Sequence, residues 1–178
     1  MLPINLKAEL TADIRAFKAP ELARYILKHQ LIDELMTFAF DADALLSSRA
    51  MWVLGHCTDI DYDCIAPYHQ DLIHNLKREG LHNGVIRNTL RLYQKHPVPS
   101  NQESFMFDTC MMYFTNPSQA IAVRTFAITV AYHIALQYPE LLKEFTLLIT
   151  HLPLADEPPA IQSRVKNTLK AMAKTQKY

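Results

Sequence analysis

Glycine is scarce in this chain. Three occur in 178 residues, at Gly55, Gly80 and Gly84. A sheet with many tight hairpins favours positive φ angles and therefore glycine, so the shortage argues against an all-β fold. Net charge is also missing, with 18 basic and 18 acidic side chains. Proteins that live on polyanions draw most of their affinity from phosphate neutralisation, so this balance weighs against nucleic acid as the partner. Cysteine appears only at Cys57, Cys64 and Cys110, with no CxxC pair. An odd count without framework spacing excludes the usual zinc and disulfide patterns and suggests reduced thiols in a cytoplasmic protein. The opening MLPINLKAELTADIRAF has no continuous apolar core and no small-residue cleavage site, so no signal peptide is expected.

Abundant Leu, Ala, Ile, Lys and Gln favour helices. Prolines at 3, 20, 67, 97, 99, 117, 139 and 153 fall at or near the edges of apolar-periodic stretches. Proline is tolerated in a first helical turn and disruptive deeper in, so it marks boundaries. The spacing predicts helices at about 5–16, 20–29, 31–39, 43–58, 64–79, 84–95, 102–115, 118–137, 139–151 and 159–174. The stretch AIAVRTFAITVAYHIAL (120–136) is almost wholly apolar. It is short for a membrane span and would place Arg124 and His133 in hydrocarbon, so it is expected to be a buried helix.

A repeat emerges from the arginines. SSRAMWVL, VIRNTLRL, AVRTFAIT and QSRVKNTL centre on Arg49, Arg87, Arg124 and Arg164, at intervals near the length of one stacked helix pair. All four are expected to be structural. The fold expected is all-α, an α-α superhelix of stacked antiparallel helix pairs in one domain, 1–178. Residues 1–42 would cap it, and 43–178 would hold about three helix pairs and a closing helix. That last helix carries Lys166, Lys170, Lys174 and Lys177, suited to a polar outer end.

Over roughly residues 43 to 174 the sequence resembles the HEAT-like repeat superfamily. AVRTFAITVAYHIALQYPELLKEFTLLITHLP has Val–Arg in its first helix and Pro–Glu–Leu opening its second. HEAT units often place an aspartate six residues before that arginine, and Asp43 before Arg49 fits the pattern. SRAMWVLGH, PYHQDLIHNL and RVKNTLK are also similar to segments of small bacterial HEAT-like proteins of the Bacteroidetes type. Some of those are labelled adenylosuccinate lyase. The Ser-Ser-x-Met-Pro loop of that superfamily has no counterpart here, so the lyase label is not carried over. The likeness implies a fold rather than an activity.

The candidate chemistry is sparse. His69 and His74 share a predicted helix but are five apart, the wrong interval for a metal pair on one face. Asp59, Asp61 and Asp63 alternate like a calcium loop, yet Cys64 and Gln70 occupy the positions that need glycine and glutamate. The simpler reading has Asp63 capping the helix at 64–79. No GxSxG and no Gly-rich phosphate loop occurs. No metal and no cofactor is expected, and no membrane. Trp52 is expected in the core, as is most of the Met and aromatic run at 105–114. The function expected is a non-enzymatic protein-interaction or scaffold module for an unknown protein partner. His74, Lys77, Asp108, Glu144 and His151 on the second helices of the pairs would touch that partner. The alternative is a HEAT-like nucleic-acid binder or DNA glycosylase-like protein. Only the first of the three second helices, with His74, Lys77 and Arg78, is basic enough for that.

Overall fold

The computed structural model describes residues 4–13 and 18–175. Among them are ten α-helices and no strand: α1 (Leu6–Thr11), α2 (Ala19–Lys28), α3 (Ile32–Ala39), α4 (Ala44–Ile60), α5 (His69–Asn75), α6 (Asn83–Lys95), α7 (Glu103–Thr115), α8 (Ile121–Ala135), α9 (Pro139–Thr150) and α10 (Pro159–Thr175). Every predicted helix has a counterpart, so the all-α class is as expected. The second half of the helix predicted over 5–16 falls partly on residues 14–17, outside the described residues.

Backbone contacts divide the chain into two compact units, 1–92 and 93–178. In the first, α4 is the hub against which α1, α2 and α3 pack. Its buried face carries Leu46, Ala50, Met51, Val53, Leu54 and Cys57. Asp43 starts the helix, its carboxylate accepting from the N–H groups of Leu45 and Leu46 at 2.9 Å each. That is an ordinary N-cap, which satisfies donors a helix start leaves open. Six residues on, a guanidinium nitrogen of Arg49 reaches back to the carbonyl of Leu10 at 2.9 Å, and also to that of Ala12.

The helix expected over 64–79 is broken. Residues Tyr62–Tyr68 form a 3₁₀ segment, α5 follows, and the chain turns after Asn75. Pro67 sits inside that segment. It lacks an N–H and disfavours the α conformation at the residue before it, which favours the tighter winding. The cap is also two residues earlier than expected, since Asp61 rather than Asp63 accepts, from the N–H of Asp63 at 3.1 Å.

In the second unit α8 is the hub, packed on α7, α9 and α10. Nearly all of its surface is covered, including Val123, Ala127, Ile128, Val130, Ala131, Ile134 and Ala135. A helix that is apolar nearly all round needs neighbours on several sides, and α8 has them. No described helix is long and apolar enough to cross a membrane. In α7, Met106, Phe107, Cys110, Tyr113 and Phe114 are buried while Met112 is exposed. Trp52 departs from expectation: it is half-buried rather than core, its ring 6.3 Å from that of His56, one turn further along α4.

Candidate functional site

The arginines show which polar groups hold the fold. Arg124 is 4% exposed. Its Nε donates to the carbonyl of Phe114 at 3.0 Å, and a terminal nitrogen makes a 2.7 Å ion pair with Glu157. One side chain thereby ties the end of α7 to the segment before α10. Arg164 donates to the hydroxyl of Thr129 on α8 at 2.7 Å. Arg87 differs from the other three, because it is exposed. Its neighbour Asn88 is the buried residue, and it donates to the carbonyl of Ser48 on α4 at 2.9 Å.

All five residues expected to meet a partner are exposed. His74 lies in α5, and Lys77 falls in the turn beyond it, its N–H donating to the His74 carbonyl at 3.1 Å. Asp108 is on α7 and Glu144 on α9, two helices that both pack against α8. His151 ends α9, with Nδ1 2.8 Å from the carbonyl of Leu147. His74 and Lys77 belong to the first unit, and Asp108, Glu144 and His151 to the second.

These acids do not stand alone. Met112 is one turn beyond Asp108 on α7 and is 47% exposed. On α9, Glu144, Leu147, Leu148 and His151 follow the three- and four-residue spacing that lines one helix face, and Leu147 is 53% exposed. Each of the two helices thus turns one face inward, through Phe107, Cys110, Phe145 and Ile149, and offers an acid beside an apolar side chain outward.

Two features of the second unit were not read from sequence. The first is Glu103, a carboxylate buried in the first turn of α7. Gln137 donates to one of its oxygens at 2.7 Å and the Tyr138 hydroxyl to the other. That bond holds the Tyr138 hydroxyl protonated above its ordinary range. The second is a cleft of about 390 Å³ between Tyr93–Val98 and the last turns of α8, lined there by Val130, His133, Ile134, Leu136 and Gln137. The tertiary approach that creates it leaves no local spacing signal. Proline at 97 and 99, which stops α6 and sends the chain across, was the one available hint.

The nucleophile candidates are quiet. Burial pushes the Cys57 thiol up to about 12, with Cys64 nearby adding to it, and burial with Asp61 and Asp63 does the same to Cys64. Burial alone raises Cys110 further. Only the thiolate is nucleophilic, so all three are held in the unreactive form. His69 and His133 are both lowered, first by loss of solvent around their rings; Arg164 adds to the effect at His133, and Asp63 opposes it at His69. Among the described residues no group of three or more His, Cys, Asp or Glu could hold a metal ion.

A hub helix in each unit, buried and half-buried arginines tying helices to neighbouring segments, and outward faces left to mixed polar and apolar side chains define a helical-repeat protein. The chain belongs to the HEAT repeat domain family, whose match runs over residues 6–172. No curated protein and no solved structure matches it. HEAT repeats commonly mediate protein–protein interaction or scaffolding.

Proposed function

We propose that the chain is a non-enzymatic protein-interaction or scaffold module of the cytoplasm, one HEAT repeat domain over 1–178 with residues 1–42 as its N-terminal cap. The family match running through both compact units supports the single domain. The packing of α1, α2 and α3 on α4 supports the cap. The observation that carries the function is the outward face of α7 and α9, where Asp108 stands with Met112, and Glu144 and His151 with Leu147. Interfaces take their affinity from apolar anchors at the centre and their specificity from the polar groups around them. Here both kinds sit on rigid helices. His74 and Lys77 extend the reading to the first unit.

The test is capture of a partner by the tagged chain from its native cell lysate at moderate salt, with stoichiometric companions identified by mass spectrometry. The double variant Asp108→Ala/Glu144→Ala should lose most of a companion that the parent retains. Each interface acid that matters is worth about 1 kcal/mol or more on truncation, so the pair should weaken binding at least about tenfold. Undiminished capture removes this face from consideration. A salt-dependent mobility shift with duplex DNA would instead favour the nucleic-acid alternative, for which Lys77 and Arg78 speak and the zero net charge does not.

A further inference from the structure

Glu103 and the cleft at the end of α8 meet at Gln137. The Gln137 side chain lines the cleft and also donates, through Nε2, to Glu103 at 2.7 Å. Glu103 is 5% exposed, and both of its oxygens accept, the second from the Tyr138 hydroxyl. A carboxylate has no proton to give, so the Gln137 amide must turn its nitrogen toward it. The carbonyl oxygen is thereby held on the side away from Glu103. Donation to a carboxylate also polarises the amide and makes that oxygen a stronger acceptor. A surface glutamine without such an anchor could turn either end to a ligand.

Beyond Gln137 the cleft offers an apolar floor and a neutral ring. Val98, Val130 and Ile134 are buried beneath it, and Leu136, 40% exposed, stands at its edge. His133 lines it one turn before Gln137, and burial and Arg164 both disfavour its protonated form. A neutral imidazole presents one N–H donor and one bare nitrogen. Lys95 and His96 also line the cleft, but both already have interactions of their own. At about 390 Å³ it falls toward the small end of the range that small-molecule sites occupy, about 300–1,000 Å³.

We propose that this cleft binds a small neutral amide with an apolar body. The amide N–H donates to the Gln137 carbonyl, its oxygen accepts from the His133 ring, and the body lies over Val130 and Ile134. Glu103 is a positioning residue, because it acts on the ligand only through Gln137. Both polar halves of such a ligand find partners, whereas a ligand without an N–H leaves the Gln137 oxygen unmatched at a partly desolvated wall. The site is independent of the interaction reading, since none of the five partner residues lines it.

The test titrates the full chain with N-methyl naphthylacetamide and with methyl naphthylacetate, by calorimetry and by methyl NMR spectra. The two probes match in shape and differ by an N–H in place of an ester oxygen. The amide should bind about tenfold tighter than the ester, in keeping with one matched acceptor. Methyl shifts should centre on Val98, Val130 and Ile134. Gln137→Lys keeps a donor for Glu103 and deletes the acceptor, so the amide should fall to the affinity of the ester. Glu103→Gln lets the Gln137 amide turn over, so the preference should shrink there too, with the ester gaining as the amide loses. Melting curves verify folding, and Gln137→Lys, at an exposed position, decides the matter if Glu103→Gln does not fold. Equal affinity for amide and ester in the parent would overturn the proposal. So would an undiminished preference in either folded variant, methyl shifts elsewhere, or no binding of either probe.

Discussion

Arg124 and Arg87 occupy equivalent places in the sequence repeat and have opposite fates. Arg124 is buried between a backbone carbonyl and Glu157, and Arg87 faces solvent. Removing one partner of a buried pair leaves the other charge uncompensated, so Arg124→Ala should destabilise the fold by about 3–5 kcal/mol and lower the melting temperature. Arg87→Ala should move it little, since exposed sites away from special features stay within about 0.5 kcal/mol. Paired urea titrations check both, and equal midpoints for the two variants would contradict the assignment. The sequence spacing identified four arginines but not which of them turn inward. One residue along a helix rotates a side chain by about 100°, and in α6 that step hands the buried place to Asn88. The histidines carry a second prediction. His69 and His133 both bind their proton less readily in the folded chain than the ordinary value of 6.5. As pH falls through that value the unfolded chain takes up protons that the folded chain resists, so stability is intact above it and declines below it. Urea midpoints should fall between pH about 7.5 and about 5.5, and less steeply in His133→Gln.

Helix ends are where the sequence was most readable and also where it misled. The mark at Pro139 placed the start of α9, and apolar spacing placed that of α10 at residue 159. Pro67 was read as a starting mark, whereas it lies within a 3₁₀ segment and shortens α5, because a local rule cannot tell a first turn from an early break. The partner residue Lys77 left its helix as a result. The end of α2 shows a different local signal. The N–H of Leu31 bonds to the carbonyl of Ile26 at 3.0 Å and that of Gln30 to Leu27 at 3.3 Å, with Gln30 at φ 57°. That is the left-handed closing turn in which glycine is the usual residue. Gln30→Gly should therefore raise stability, by about 1 kcal/mol relative to the strained side chain. A higher thermal midpoint with unchanged helical circular dichroism is the expected result, and a lower one would place the left-handed turn elsewhere.

For the molecule as a whole, the three thiols report on opening. Cys57 and Cys110 are buried and Cys64 half-buried, all held protonated. A thiol reagent should modify Cys64 slowly and the other two only as the fold opens. Rapid native labelling of Cys110 would mean that the α7 core is looser than its packing implies. Fold class and repeat were legible at this scale because composition and periodicity act along the whole chain. The outward faces of α7 and α9 were legible in part, through Asp108, Glu144 and His151. The cleft was not, since it arises where segments about forty residues apart in the chain converge. The ion pair of Arg124 has a consequence for how the chain can vary in length. Glu157 lies two residues ahead of α10, in the connection from α9. Connections between repeat helices ordinarily accept insertions freely, but this one must deliver a carboxylate to a fixed point, so its residue count is a dimension of the fold. Added residues before Glu157 would have to loop outward without moving it, whereas a deletion there would pull the carboxylate off its guanidinium.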